Sequence, residues 1–342
     1  MTLKDIAKRA GVSTMTVSNV INGKNSRVST STIKKVNAII AECGYVPNLS
    51  ARSLTKKTSN IIGILVSIYE DDSDFTESNY MENPYISSMI GTIEKELHLN
   101  GYFSILRFIS KKDDLTFLSQ SWNVDGMIFL HPDHRQDIKA FITTAPFPVV
   151  MFDNDFDMPE LIRICSDDVQ GLYQSTKYMI NHGHSRIAFV GRYQDNPLVT
   201  RRFHGYCKAL ENSGIPFRKE LVYSISPTYE GGIEAGKQIA ADNTGITAVV
   251  TTADICAIGI MEGARLGGLR IPIDLSIIGY DNLTLCKYLT PKLTSVSQNM
   301  EKKAQLGTRL LLEKIRTGTI QGPRHITLNT HLIERQSVIS LF

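Results

Sequence analysis

In the first 45 residues, apolar side chains recur at every third or fourth position in three short runs, the spacing of amphipathic helices. Ile6 and Ala10 lie in the first run, Val17 and Ile21 lie in the second, and Gly11 separates the two. A helix, a three-residue turn and a second helix form the geometry of a DNA-reading helix-turn-helix. Predicted N-caps are Thr2 and Ser13, and a third helix is predicted from Ser29 or Thr30 to Gly44.

From Ile61 onward, short apolar runs of strand length alternate with longer stretches of helical periodicity. Residues 61–66 predict a buried strand, 85–99 a helix and 102–109 another strand. Strands that alternate with helices of this length form βαβ units and parallel sheets, and ligands bind outside the carboxyl ends of such strands. Further strands are predicted at 127–130, 147–152, 162–164, 187–190, 248–251 and 275–279.

The composition is that of a globular chain and narrows the class of protein. Its 342 residues are enough for two or three domains. The best apolar stretch, 248–261, is too short to span a membrane, and residues 1–10 lack the apolar core of a signal peptide. Five cysteines without a C-x-x-C spacing fit buried thiols in a reducing compartment. A cytoplasmic protein is therefore expected.

The net charge of +3 is the sum of two unlike parts. Residues 1–58 contain ten Lys and Arg and two acids, a charge of +8, whereas residues 59–342 carry −5. A small basic head on a mildly acidic body indicates a nucleic-acid-binding module joined to a second function. Taken alone, the charge would favour a merely solvated basic surface.

A set of specific residues occurs in a fixed order over more than fifty positions of the head. It strongly resembles the DNA-binding domain of the lactose/galactose-repressor (LacI/GalR) family and continues into that family's hinge helix. The matching stretches are Thr2-Leu3-Lys4-Asp5-Ile6-Ala7, Ala10-Gly11-Val12-Ser13, Thr16-Val17-Ser18, Val20-Ile21-Asn22 and Tyr45-x-Pro47-Asn48-x-x-Ala51-Arg52-x-Leu54.

With this resemblance, the outer side of the second helix is expected to read DNA. Thr14, Met15 and Asn19 then face base edges in the major groove, where Asn19 can pair with adenine and Met15 offers only apolar contact. Thr16 and Ser18 either contact phosphate or pack the helix. Expected phosphate contacts are Ser13, Thr16, Ser18, Asn22 and the backbone of Thr2 and Leu3, while Ser29 and Thr32 start a helix, contact phosphate or do both.

Residues 48–56 are short, basic and without a core, so this segment is expected to be unfolded on its own. In the resembled family, two such helices of a dimer fold side by side in the minor groove. Leu54 matches a leucine wedged between central base pairs, and Ala51 would permit close approach. Asn48 and Arg52 are further expected DNA contacts. The alternative is a surface linker with one stray leucine.

For the body, the resemblance implies a core like that of periplasmic binding proteins, with a sugar-sized effector between two similar lobes. Arg202 and Asp281 match an arginine and an aspartate that bind effector from opposite sides. A polyol suits both, because the guanidinium offers forked donors and the carboxylate accepts from paired hydroxyls. Tyr85 matches a residue that lines the same cleft and can stack on a sugar ring. The alternatives are an interlobe ion pair for Arg202 and plain packing for Tyr85.

Two features depart from the family pattern. Ala253-Asp254 stands where the family usually has Asn-Asp, so an amide that often holds effector is absent and Asp254 alone remains a candidate contact. An acidic insertion at 70–82 precedes Asn83-Pro84 near the expected mouth of the cleft. It is either a solvated loop or part of a reshaped pocket. Effector identity therefore does not follow from the resemblance.

No catalytic residue, metal site or cofactor is expected. The stretch from Gly231 to Lys237 nearly spells a phosphate-binding loop, but Gln238 replaces the Ser or Thr that would hold magnesium, so a helix start is predicted there. The close histidine pairs, His131 with His134 and His182 with His184, lack a third ligand.

The chain is thus predicted to be a non-enzymatic transcription regulator, a homodimeric repressor of carbohydrate-use genes that binds a near-palindromic operator under control of a sugar-like effector. A solute-binding protein with a vestigial head and a global regulator with a protein corepressor stay open. The predicted fold is a helix-turn-helix head with a hinge helix, followed by a two-lobed α/β core of parallel sheets. The predicted parts are the DNA-binding domain 1–47, the hinge 48–58 and the core 59–342, with one lobe at about 59–164 and 297–325 and the other at about 165–296 and 326–342.

Overall fold

The computed structural model divides the chain into two compact units, Met1–Asn60 and Ile61–Phe342. Several predicted features lie outside the described residues: Asn22, the hinge residues Asn48, Ala51, Arg52 and Leu54, most of the acidic insertion, and the pair His131 and His134. The described residues are 1–21, 23–45, 58–67, 80–110, 113–130, 136–194, 196–242 and 244–342.

The first unit consists of the helices α1 (Leu3–Ala10), α2 (Thr14–Ile21) and α3 (Thr30–Cys43). Ile6, Val17 and Val36, one from each helix, are fully buried in a common core. Gly11 ends α1 at a φ of 67°, which glycine adopts at least cost, and Gly44 ends α3 in the same way. The predicted helical head is confirmed.

The second unit contains, in its described residues, two six-stranded sheets. The strands are β1 (Ile61–Ser67), β2 (Phe103–Ile109), β3 (Gly126–Leu130), β4 (Val149–Phe152), β5 (Ile162–Ser166), β6 (Ile187–Val190), β7 (Val222–Tyr223), β8 (Ala248–Thr251), β9 (Ser276–Asp281), β10 (Thr294–Ser297), β11 (His325–Leu328) and β12 (His331–Ile333). The helices are α4 (Pro84–Leu99), α5 (Leu115–Ser121), α6 (Gln136–Thr144), α7 (Asp168–Asn181), α8 (Pro197–Glu211), α9 (Tyr229–Ala241), α10 (Asp254–Leu266) and α11 (Met300–Thr317).

The two sheets repeat one strand order, β2-β1-β3-β4-β5-β11 in the first and β7-β6-β8-β9-β10-β12 in the second. The described strand pairs are parallel except that of β10 with β12. The predicted parallel α/β core is confirmed. We refer to each sheet with its covering helices as the first lobe and the second lobe.

Both faces of each sheet are buried, which explains the continuous apolar runs in the sequence. In β1, Ile64 packs in the core that includes side chains of α4 and α11, whereas its neighbour Leu65 packs on the opposite face with side chains of α5 and α6. β7 and β10 were not predicted. β7 has only two residues, and three of the four residues of β10 are Thr or Ser, so neither forms an apolar run.

The predicted helix at Gly231 is confirmed as part of α9, and its glycines serve close packing. A Cβ on Gly232 would lie 2.2 Å from a backbone oxygen of α10, and one on Gly236 would lie 2.5 Å from another. Gly259 and Gly263 of α10 meet the backbone of α9 as closely. These glycines therefore let two helices touch and do not cradle phosphate.

The chain passes between the lobes three times: after β5, between β10 and α11, and between β11 and β12. As a result α11, which follows a strand of the second lobe, packs in the core of the first lobe, and α7 packs in the second. The last passage comes after Leu328, three residues beyond the predicted boundary at 325, because His325–Leu328 pairs with β5.

Candidate DNA-reading face and effector cleft

Three of the predicted DNA contacts are N-cap residues. Thr2 caps α1 in a capping box. The Ser13 hydroxyl accepts a hydrogen bond from the Thr16 amide at 3.1 Å, and the Ser29 hydroxyl accepts one from the Thr32 amide at 3.2 Å. Each cap pairs a backbone N–H group that the helix itself leaves unpaired. These side chains therefore fix where the three helices begin.

The outer face of α2 carries the side chains predicted to read bases. Thr14 and Met15 are exposed, and Met15 leaves 69% of its surface in solvent although it is apolar. Asn19 lies one helical turn after Met15 and is half-buried, whereas Val17 faces the core. The helix thus separates a packed face from an exposed face. Leu3, Thr16, Ser18 and Thr32 are half-buried.

Arg202, on α8, is 4% exposed and lies within the second lobe. Its Nε donates to Asp168 Oδ1 at 2.9 Å, its Nη1 donates to the Thr252 carbonyl at 2.5 Å, and its guanidinium lies 3.8 Å from the ring centroid of Tyr280. Burial alone would lower the pKa of Arg202, but the charge of Asp168 raises it. The ion pair of Arg202 with Asp168 therefore joins two helices of one lobe.

Asp281 ends β9 at a φ of 116° and is 7% exposed. Its Oδ1 accepts a hydrogen bond from Gln298 Nε2 at 2.5 Å. Burial raises the pKa of Asp281 to about 8, an effect that the charge of Arg202 opposes and the charge of Asp254 reinforces. Among the described residues, no cation forms an ion pair with Asp281.

Asp254 is fully buried at the start of α10, and the protein's own groups occupy both of its oxygens. Ser295 Oγ donates to Oδ1 at 2.6 Å, and the Leu283 amide and Cys286 Sγ donate to Oδ2 at 2.7 and 3.0 Å. Burial raises the pKa of Asp254 against these hydrogen bonds. Asp254 thereby holds the loop that follows Asp281.

Tyr85, near the start of α4, is half-buried and donates its hydroxyl hydrogen bond to Asp153 Oδ2. The pKa of Tyr85 is raised well above its ordinary value, first by burial and then by the charge of Asp153. The charges of Asp281 and Arg202 also act on this hydroxyl. Arg202 and Asp281 thus both belong to the second lobe, whereas Tyr85 belongs to the first.

The predicted site residues did not include Asp153, Gln298 or Lys303. Lys303 is fully buried, and its Nζ lies 2.7 and 2.9 Å from the two carboxylate oxygens of Asp153. Burial would raise the pKa of Asp153, but the charge and hydrogen bonds of Lys303 lower it. One signal was available: Asp153-Asn154 follows β4 as Asp281-Asn282 closes β9.

Three buried polar atoms near strand ends have no hydrogen-bond partner among the described residues: Ser67 Oγ, Asn154 Nδ2 and Thr252 Oγ1. They lie at the carboxyl ends of β1, β4 and β8. A buried polar group left unpaired costs about 1–3 kcal/mol, so such groups call for a ligand or water. Their position agrees with the place where parallel sheets bind ligands.

Among the described residues, no group of three or more His, Cys, Asp or Glu side chains is arranged to hold a metal ion. No helix in the same residues is long and apolar enough to cross a membrane.

A helix-turn-helix head and a two-lobed α/β core with buried polar side chains at its strand ends define a class, the DNA-binding regulators that carry a ligand-binding domain. Residues 2–48 match the bacterial regulatory proteins of the lacI family, and residues 176–338 match the periplasmic binding protein-like domain. The HTH-type transcriptional repressor PurR of Photobacterium profundum is 31% identical over 346 residues, which cover 99% of each chain.

Two solved structures extend the likeness over the full chain. The transcriptional regulator CelR in complex with cellobiose is 28% identical, with a TM-score of 0.70 and coverage of 98% of this chain and 99% of that one. The Lac repressor dimer bound to operator and the anti-inducer ONPF has a TM-score of 0.85 at 24% identity, with 99% of both chains covered. The chain belongs to the lacI family of bacterial regulatory proteins and is a transcriptional regulator with a DNA-binding head and an effector-binding core. The predicted family is confirmed.

Proposed function

We propose that this regulator is a cytoplasmic repressor of carbohydrate-use genes that binds a near-palindromic operator as a homodimer and responds to a neutral, polyhydroxylated effector. The observation that carries the effector class is the charge balance of the cleft. Arg202 and Lys303 are each already bound to a carboxylate, Asp168 and Asp153 respectively. Among the described residues, the side chain of Asp281 is bound by the amide of Gln298.

A phosphorylated sugar would meet carboxylates in this cleft, where Arg202 and Lys303 are already paired, and burying an unpaired charge is costly. Hydroxyl groups suit the site better, because they can donate to Asp281 and pair with Ser67, Asn154 and Thr252. CelR, with which the chain shares its architecture, was solved with cellobiose.

The first prediction is that neutral mono- and disaccharides include a stabilising ligand and that phosphorylated counterparts do not stabilise the protein. A ligand at 100 times its dissociation constant adds about 2.7 kcal/mol to the free energy of unfolding, which raises the melting temperature by several degrees. Thermal-shift measurements would compare each neutral sugar with its phosphate ester and with nucleobases. A larger shift with a sugar phosphate or a nucleobase would contradict the proposed ligand class.

The homodimer is supported by apolar side chains on the open edge of the first sheet. β2 is an edge strand, and Phe103, Ile105 and Leu106 on it are 53%, 38% and 38% exposed. In the second lobe, Leu285 and Tyr288 are 44% and 73% exposed. Clustered exposed apolar groups mark protein interfaces. A two-fold dimer places two reading helices on two half-sites, and the Lac repressor was solved as a dimer on its operator.

The second prediction concerns Asn19. We assign its side chain, together with those of Thr14 and Met15, to contacts with DNA bases. Asn19→Ala should reduce affinity for a duplex selected by this protein from a random pool by about 5- to 150-fold, the worth of one bidentate pair. Binding to unrelated duplexes should stay within twofold, because phosphate contacts remain. Fluorescence anisotropy would measure both. Asn37→Ala, at an exposed site on α3, is the control, and an equal loss on both kinds of duplex would remove Asn19 from base reading.

The contacts of the hinge residues Asn48, Ala51, Arg52 and Leu54 with DNA remain part of this proposal. A second candidate mechanism is a protein corepressor acting in place of a small effector. It would be favoured if no compound in the thermal-shift panel stabilised the protein while selected DNA was still bound.

A further inference from the structure

The two acids of the cleft occupy equivalent places in the two lobes. β4 and β9 hold the same position in the repeated strand order, and an Asp-Asn pair stands at or directly after the end of each strand. Asp153 and Asp281 both have a positive φ, 52° and 116°, which is uncommon outside glycine. The two lobes therefore present matching carboxyl groups from matching backbone turns.

The partners of these acids differ. Asp153 is bound by the ammonium group of Lys303 and by the Tyr85 hydroxyl, whereas Asp281 is bound by the side-chain amide of Gln298. Lys303 also donates to Gln298 Oε1 at 2.6 Å. A continuous chain of hydrogen bonds thus runs from Tyr85 in the first lobe to Asp281 in the second.

Lys303 dictates which way the amide of Gln298 points. An ammonium group only donates hydrogen bonds, so the amide atom that faces it must be the oxygen, and the amide nitrogen must face Asp281. Ser166 Oγ lies 3.4 Å from the same oxygen and donates to it. All three ammonium protons are used, two on Asp153 and one on Gln298.

We propose that Lys303 is a positioning residue that, through Gln298, orients a donor onto Asp281 Oδ1 and leaves the other oxygen of Asp281 to receive the effector. Gln298 lies in the passage between β10 and α11, next to Ser166 at the end of β5. The amide is therefore placed where the chain crosses between lobes. This role of Lys303 rests on the proposed effector site. The hydrogen bonds that join Lys303, Gln298 and Asp281 can nevertheless be tested without a ligand.

The test is a double-mutant cycle in the unliganded full chain, followed by urea unfolding at pH 9, where Asp281 is ionised and can only accept hydrogen bonds. Asp153→Asn/Lys303→Met removes the ion pair as a unit, so no charge is left buried alone. This replacement should lower the urea midpoint at least twice as much in the wild-type background as in an Asp281→Asn background, because asparagine can pair with either orientation of the Gln298 amide. With Gln298→Met present, the two shifts should be equal. Equal shifts while Gln298 is intact would overturn the proposal.

The matched control uses another ion pair of α11. Arg309 Nε lies 3.1 Å from Glu96 Oε2, on α4, and Glu96→Gln/Arg309→Met should lower the midpoint equally in both backgrounds. A coupling of this control pair to position 281 as large as that of the Lys303 pair would also overturn the proposal.

A second measurement covers the case in which the ion-pair variant does not fold. Gln298→Met keeps the Lys303–Asp153 pair and the charges of the cleft, but it removes the donor to Asp281. Because this donor lowers the pKa of Asp281, its loss should raise that pKa. The urea midpoint, which falls with pH until Asp281 is ionised, should then level off at a higher pH than in wild type. An unchanged profile would mean that Gln298 only packs the crossing. If no sugar stabilised the protein, these unfolding results would still stand. Likewise, failure of the unfolding test would not affect the result of the sugar screen.

Discussion

Arg202→Ala should lower the free energy of unfolding of the second unit by about 3–5 kcal/mol, the cost of removing one partner from a buried ion pair. The change leaves Asp168, which is 1% exposed, without its main counter-charge, and it opens the space above the Tyr280 ring. It also removes the donor to the Thr252 carbonyl. Urea unfolding monitored by circular dichroism would measure the loss.

A lost effector response in Arg202→Ala therefore cannot be assigned to the ligand contact alone. Arg202→Met/Asp168→Asn removes the ion pair without stranding a charge and should recover most of the lost stability. If Arg202 binds effector, both variants should still lose the thermal shift given by the sugar that stabilises wild type. A double variant as unstable as the single one would show that the charge of Asp168 is not the cause.

Asp281→Asn should stabilise the protein increasingly as the pH rises from 6.5 to 9. The ordinary carboxyl pKa is 3.8, and that of Asp281 in the folded protein is about 8. Between these values the unfolded chain has released a proton that the folded chain retains, so stability falls as pH rises and levels off above about 8. The slope from one such group approaches about 1.4 kcal/mol per pH unit. Asparagine does not titrate, and its oxygen can still accept from Gln298.

Several charges act on Asp281 in this range. Arg202 and Lys303 favour its ionised form, and Asp254 disfavours it. The difference in unfolding free energy between wild type and Asp281→Asn isolates the one group. Asp274→Asn is the control, because Arg270 lowers the pKa of Asp274 to about 2 and its effect should be flat above pH 6.5. Parallel curves for wild type and Asp281→Asn would show that Asp281 is ionised throughout.

Most of the fold followed from the sequence because its signals are local. Thr2, Ser13 and Ser29 cap helices where hydroxyl residues precede apolar periodicity. The strand runs are apolar on both faces, so their position was visible even where their pairing was not. The order of the strands, by contrast, depends on contacts between distant segments, and the sequence indicated it only through the family resemblance.

The cleft was predictable in part. Arg202, Asp281 and Tyr85 were proposed from family motifs, and the structure places the first two in the second lobe and Tyr85 in the first. Lys303 was missed because a lysine after Lys302 on an amphipathic helix is expected to face solvent. Its burial depends on Asp153, 150 positions away. Asp254, in contrast, was predicted to contact effector. No local pattern shows that a loop 29 residues later in the chain occupies its carboxylate oxygens.

The exchange of helices between lobes sets the order in which the protein can fold during synthesis. The head needs only its first 45 residues, and its core lies within them. The first lobe needs Leu311 of α11 in its core and His325–Leu328 on its sheet, although its other strands end at Ser166. Since domains fold as their residues leave the ribosome, the head folds early, and the first lobe cannot be completed until the second has been made. A nascent chain thus acquires its DNA-reading surface well before the domain that regulates it.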